Sequence, residues 1–232
     1  MELDPKLIDH AIQKDIVRIL VSSGTARFSE LKPKRIESNL FMYHLNQLIK
    51  RGVVAKSDGG YVLTAEGMAF VDRANLDKLV FRVQPKILTI LTVKSKTGKW
   101  LLLERTHEPH MNRTGFPSGK IHFGEELQDA ANREVLEKTG LIDLPLKLRG
   151  NVFMRFIDTA TSQAMNHIVG YVFSAEIQDT PDLKPPSEHW RAFWGDESQL
   201  IDGNVFKGHK DILELLNTKK QFIASFDYES DF

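Results

Sequence analysis

Hydrophobic positions along the first third of the chain recur at helical spacing, and near residue 80 they give way to the dense alternating runs of strands. Ala11, Ile12, Ile16, Ile19 and Leu20 predict a first helix, ended by the Ser22-Ser23-Gly24 breaker. A short segment, FSELKPKR, follows from Phe28. In ESNLFMYHLNQLIKRG the apolar face is Phe41, Leu45, Leu48 and Ile49, and Gly52 ends the helix. VVAKSDGGYVLT reads as a hairpin about Asp58-Gly59-Gly60, and AEGMAFVDRA closes the unit as a last helix. After Asn75-Leu76-Asp77-Lys78, VQPKILTILTV and KWLLLERT predict strands around the turn Ser95-Lys96-Thr97-Gly98. Further strands are predicted at LKLRGNVFMRFID and HIVGYVFSAEI, and a late helix at HKDILELLNT. The pattern divides the chain into domains at 1–76 and 79–218, with an acidic, aromatic tail at 219–232 that has no assignable role.

One helix breaks the simple pattern. In GKIHFGEELQDAANREVLEKTGL, from Gly119 to Leu141, a single stripe comprises Leu127, Ala130, Ala131, Glu134, Glu137, Lys138 and Leu141. It starts apolar, turns charged and ends apolar. Carboxylates on a docked face need cations, because burying an unpaired anion is costly. A divalent metal with oxygen ligands is one solution.

The bulk composition narrows the classes of partner. Hydrophobic residues make up 41% of the chain, enough for a proper core. Lys plus Arg and Asp plus Glu both number 31, so no global field draws the chain to nucleic acid or membrane, and DNA binding would need a local patch. Cysteine is absent, which excludes disulfides and thiolate metal sites. The N-terminus lacks a signal pattern and no apolar run spans a bilayer, so the expected location is cytoplasmic.

The charged helix resembles the box of the Nudix hydrolases: Gly, five residues, Glu, seven residues, then Arg-Glu-apolar-x-Glu-Glu-x-Gly-apolar. Gly119, Glu125, Arg133, Glu134, Val135, Glu137, Gly140 and Leu141 occupy eight of its nine positions. Upstream, FPSGKIHFGEE is similar to the family's proline-glycine-glycine entry, with Ser118 in place of the first glycine. The ninth position holds Lys138, where the family places a glutamate that is usually a principal metal ligand. Lys138 follows Glu134 at i+4, the favourable orientation for a helical ion pair. Its ammonium can neutralise Glu134 and Glu137 without metal. Alternatively it swings outward, leaving Glu134, Glu137, Glu125 and a downstream carboxylate to hold a weaker metal site.

The resemblance implies weakly bound Mg²⁺ or Mn²⁺ on those three glutamates, with Arg133 orienting them and either one of the glutamates, Glu134 or Glu137, or an acid from a later loop activating water. Asp182 and Glu188 are the loop acids, and Glu188 is equally readable as a helix cap or surface acid. Arg105, Arg113 and Lys120 are the residues for substrate phosphates, because their loop leads into a helix N-terminus. Trp190 and Trp194 read as core, and His107, His110 and His122 as solvated loop histidines, since their irregular spacing makes no zinc pattern.

The first domain resembles a winged helix-turn-helix. The solvent face of its third helix would present Asn39, Met42, Tyr43, Asn46, Gln47 and Lys50, with Asn and Gln suited to adenine edges and Lys to phosphates. The same unit is also readable as a dimerisation or protein-contact module. The fold expected is therefore α+β, a winged helix-turn-helix followed by a Nudix-type α/β/α sandwich with a mixed sheet. The function expected first is a Mg-dependent hydrolase of a nucleoside diphosphate-linked metabolite with weakened or conditional activity. The alternative is a DNA-binding transcription regulator, of the homodimeric kind common among winged helices, whose Nudix-like domain senses the metabolite without hydrolysing it. Nudix domains fused to winged helices are known as regulators, usually in the opposite domain order.

Overall fold

The computed structural model describes residues 7–75 and 79–230. Leu76, Asp77 and Lys78, at the expected domain junction, lie outside the described residues, as do the first six and last two positions. The chain divides into two compact units, Met1–Val83 and Gln84–Phe232.

The first unit runs α1 (Ala11–Ser23), β1 (Thr25–Ala26), α2 (Phe28–Leu31), α3 (Ser38–Lys50), β2 (Val54–Ser57), β3 (Gly60–Leu63), α4 (Ala65–Arg73), β4 (Ala74–Asn75) and β5 (Val80–Phe81). His10 caps α1, its Nδ1 accepting from the Ile12 N–H at 3.2 Å, and Thr64 caps α4 by accepting from the Gly67 N–H at 3.0 Å. Strands β1, β3 and β2 form a small antiparallel sheet in that order. Ile16, Leu20, Phe41, Leu45, Leu48 and Phe70 build the core between them. One expected core residue is corrected: Ile49 is exposed, and His44 is buried instead. The inward stripe of α3 runs 41, 44, 45, 48, and residue 49 lies a further 100° or so round the helix.

The second unit runs β6 (Lys86–Ser95), β7 (Trp100–Arg105), β8 (Thr114–Gly115), β9 (Ser118–Lys120), α5 (Leu127–Thr139), β10 (Lys147–Ile157), β11 (Ala164–Ile177), β12 (Trp190–Gly195), α6 (Ser198–Ile201), α7 (His209–Thr218) and β13 (Phe222–Glu229). Its eight-stranded mixed sheet has the path β12-β7-β6-β11-β10-β13, with β8 on β7 and β9 on β6. The β6–β11 and β10–β13 pairs are parallel. Strand alternation feeds two cores. Ile90, Leu102 and Val172 join Ile212 and Leu213 of α7 on one face, while Leu91, Leu101 and Phe173 join Ala131 and Val135 of α5 on the other.

The expected tail is also corrected, since residues 222–229 form a strand parallel to β10. Phe222, Ala224, Phe226 and Tyr228 alternate with Ile223, Ser225, Asp227 and Glu229, and the first set is the more buried. Arg155 pairs with Asp227 at 2.6 Å across the register. The acids face outward from a period-two strand. No helix among the described residues is long and apolar enough to cross a membrane.

Candidate functional site

Helix α5 docks on the sheet through Ala131 and Val135, and that docking carries Glu134 inward with them. The Glu134 side chain retains only 7% of its exposure. It lies against Gly119 of β9, where a Cβ would overlap the carboxylate. Gly119 is therefore required by close approach. Glu137 does not share this burial, its side chain being 53% exposed, which corrects the continuous stripe expected from spacing. At roughly 100° per residue it sits about 60° round the helix from Glu134, away from Ala131 and Val135, at the rim.

Arg133 ties the acids together. Its Nε donates to Glu125 Oε1 at 2.6 Å and one terminal nitrogen to Glu125 Oε2 at 2.8 Å, a bidentate pair. The other terminal nitrogen donates to Glu134 Oε1 at 2.8 Å and lies 3.4 Å from Glu137 Oε2. The Arg133 hydrogen bonds, and then the His122 backbone N–H, pull the Glu125 carboxyl down to about pKa 2. Glu125 in turn raises the Arg133 pKa above its ordinary value, with Glu134 adding to it.

Lys138 points inward. Its ammonium meets Glu134 Oε2 at 2.7 Å, donates to the Ser118 carbonyl, and stands 5.6 Å from the centre of the Trp190 ring. Its side chain is 11% exposed. Of the two orientations left open by sequence, this is the counter-ion one.

The Mg²⁺ or Mn²⁺ that the resemblance implies does not fit this donor set. Both Glu134 oxygens face cations, and both Glu125 oxygens face N–H donors. Among the described residues no group of three or more His, Asp or Glu side chains is arranged to hold a metal ion.

Beside the cluster a cavity of about 620 Å³ opens between strands and loops of the second unit, a volume suited to a nucleotide-sized ligand. Lys86, Arg105, Arg113, Lys120, Lys138 and Lys207 line it, and none of its lining residues is Asp or Glu. Phe116, Met154, Phe156, Ile168, Trp190 and Phe206 supply an apolar and aromatic wall. Such a wall beside concentrated positive charge suits a ligand with an anionic end and a planar end.

The expected site residues separate into groups. Arg105, Arg113 and Lys120 come together in the cavity with Lys138. Glu125, Arg133, Glu134 and Glu137 come together in the ion-pair cluster. Glu188 joins neither, being 85% exposed and 3.2 Å from His189, and Asp182 is exposed on the same loop. Trp194 packs against the core, but Trp190 is corrected to a cavity residue, and its buried Nε1 has no hydrogen-bond partner among the described residues. His107 and His110 are corrected in the same way, since they line the cavity while His122 remains exposed. On α3, Asn39, Tyr43, Asn46 and Lys50 are exposed and Gln47 is half-buried. Sequence reasoning missed Phe116, Phe156, Phe206 and His209, whose aromatic character is indistinguishable from core until the strands are assembled.

Residues 84–216 match the family model of the NUDIX domain. Among known proteins, the oxidized purine nucleoside triphosphate hydrolase of Mus musculus is 28% identical over 112 residues, covering 48% of this chain and 67% of that protein. The mutator MutT protein from Bacillus halodurans has a similar structure, with a TM-score of 0.53 at 21% identity, covering 63% of this chain and 92% of that one. The NUDIX domain of Shewanella oneidensis NrtR, complexed with ADP ribose, gives 0.51 at 16% identity, covering 67% and 97%. At these identities the two structures establish the Nudix fold and no more.

Proposed function

The chain belongs to the Nudix family, and from that premise we propose that its second unit binds a nucleoside diphosphate-linked metabolite without hydrolysing it, and that its first unit turns the binding into a DNA response. Nudix hydrolases generally use divalent metal ions such as Mg²⁺. The observation that carries the proposal is the seat of Lys138: its ammonium lies 2.7 Å from Glu134, on the carboxylate a metal would need. A fixed cation there repels a divalent ion and blocks one of its ligands. The same ammonium lines the cavity with five other lysines and arginines, so the positive charge that a diphosphate requires comes from side chains.

Sequence reasoning put the hydrolase first, and the inward lysine reverses that order. The second reading is a hydrolase, favoured by the retained set of Arg133, Glu125 and Glu134, and it requires Mg²⁺ or Mn²⁺ to displace the ion pairs those carboxylates make here. In the first unit we read α2 and α3 as a helix-turn-helix and β2–β3 as a wing, acting as a homodimer on double-stranded DNA. Exposed Asn39, Tyr43, Asn46 and Lys50, with Gln47 beside them, support that reading.

The test is turnover of a nucleotide panel with Mg²⁺, beside calorimetric binding of ADP-ribose in EDTA. ADP-ribose should bind in EDTA as well as in Mg²⁺, with no metal-dependent turnover. Rapid hydrolysis by the wild-type protein at low metal would return the chain to the hydrolases.

A further inference from the structure

One ring in the cavity wall has its protonation dictated from behind. His209 opens α7, is buried, and accepts the Phe116 backbone N–H on Nδ1 at 2.8 Å. Acceptance requires a lone pair on Nδ1, so the proton of the neutral ring sits on Nε2. The ring stacks on Phe116 with centroids 5.5 Å apart and planes 17° apart. Behind it is Gly115, where a Cβ would overlap the imidazole. Burial pushes the pKa down to about 4, which keeps the ring neutral near pH 7.

The other edge of the ring faces a different environment. His209 makes no hydrogen bond through Nε2 to another described residue, yet only His44 Nδ1 and Trp190 Nε1 are buried without a partner among those residues. Nε2 therefore keeps open space beside it, and the space that His209 lines is the cavity. Aromatic rings flank it: Phe116 stacks on it and the Phe206 ring lies 5.8 Å away. A diphosphate is better served by Arg105, Arg113, Lys120 and Lys138 than by a neutral ring among phenylalanines.

Resting on the nucleotide-binding reading above, we propose that His209 is a specificity-determining residue, its Nε2–H donating to a carbonyl oxygen or ring nitrogen on the base end of a nucleoside diphosphate. Because Nδ1 is committed to the backbone, Nε2 cannot become an acceptor without breaking the Phe116 bond. A ligand presenting an N–H at that point meets a second donor and is rejected. The residue thus selects for an acceptor and leaves the phosphates to the cations.

Two substitutions separate this role from a structural one. His209→Asn keeps an acceptor near Nδ1 for the Phe116 N–H and removes the Nε2 donor. His209→Gln reaches the Nε2 position with a donor and gives up the Nδ1 acceptor. Calorimetric titration of the full chain with ADP and with inorganic pyrophosphate should show His209→Asn about tenfold weaker for ADP and unchanged for pyrophosphate. His209→Gln should retain ADP affinity and melt at a lower temperature. Nitrogen-15 NMR of the unliganded protein should find the Nε2-protonated tautomer at pH 7. Unchanged ADP affinity in His209→Asn, equal losses for both ligands, or an imidazolium at pH 7 would each overturn the donor role. Wild-type protein that binds neither ADP nor pyrophosphate would overturn the nucleotide reading as well.

Discussion

The acidic cluster on α5 and the wall of the adjoining cavity use the same chemical groups in opposite proportions. In the cluster, Glu125, Glu134 and Glu137 share two cations, Arg133 and Lys138, at distances from 2.6 to 3.4 Å. In the wall, six lysines and arginines gather with no carboxylate among the lining residues. The cluster pairs its own charges, whereas the wall offers its cations to the anionic ligand proposed above. Lys138 belongs to both, and the difference teaches that one side chain can close an acidic cluster while adding a cation to the neighbouring wall.

Lys138→Glu should break the comparison most severely. It leaves Arg133 alone against four carboxylates, and the metal-free protein should lose about 3 kcal/mol, read from thermal melts without added metal. The same variant should bind Mg²⁺ at least tenfold more tightly by calorimetry, since the repelling charge becomes a ligand. Tight Mg²⁺ binding by wild type with no gain in the variant would show that Lys138 does not compete with the metal.

Acid should take the two regions apart at different pH. The His209 pKa falls from 6.5 unfolded to about 4 folded, so the unfolded chain takes up the proton first. That contribution is intact above pH 6.5 and is lost as the pH falls towards 4, by up to about 3 kcal/mol. Glu125, with its pKa pulled from 4.5 to about 2, holds its contribution down to pH 4.5 and loses it below. The melting temperature should therefore decline in two stages, and His209→Asn should flatten the earlier one while leaving the later in place. A variant profile identical to wild type between pH 6.5 and 4 would remove His209 from the account.

Smaller effects test the wall itself. Lys120→Ala, at an exposed lining position, should weaken ADP-ribose binding by about 1 kcal/mol and reduce its salt dependence, without moving the metal titration. Smallest of all, Lys50→Ala on α3 should lower the salt slope of DNA binding by about one unit, while Asn46→Ala relaxes sequence preference. Salt-insensitive binding would move the first unit to protein contacts.

Local order was readable from the chain wherever neighbours in sequence are also neighbours in space. The Asp58-Gly59 turn, the period of α1 and α3, and the one-turn spacing of Glu134 and Lys138 needed only helix and hairpin geometry. Ile49 and Glu137 were misplaced by angle on single helices, whereas the larger failures share a non-local cause. The strand at 222–229 was hidden because its partner, β10, lies some seventy residues earlier and its outward acids resemble a solvated tail. Trp190 passed for core and His209 drew no functional reading, because the cavity draws on β6, β7, β10, β12 and α7, whose juxtaposition no local pattern encodes. Helical periodicity also left Lys138 two rotamer directions. The close packing of α5 on β9 chose between them, because an inward ammonium satisfies Glu134 Oε2 and the Ser118 carbonyl, beside the Arg133 pair already on Oε1.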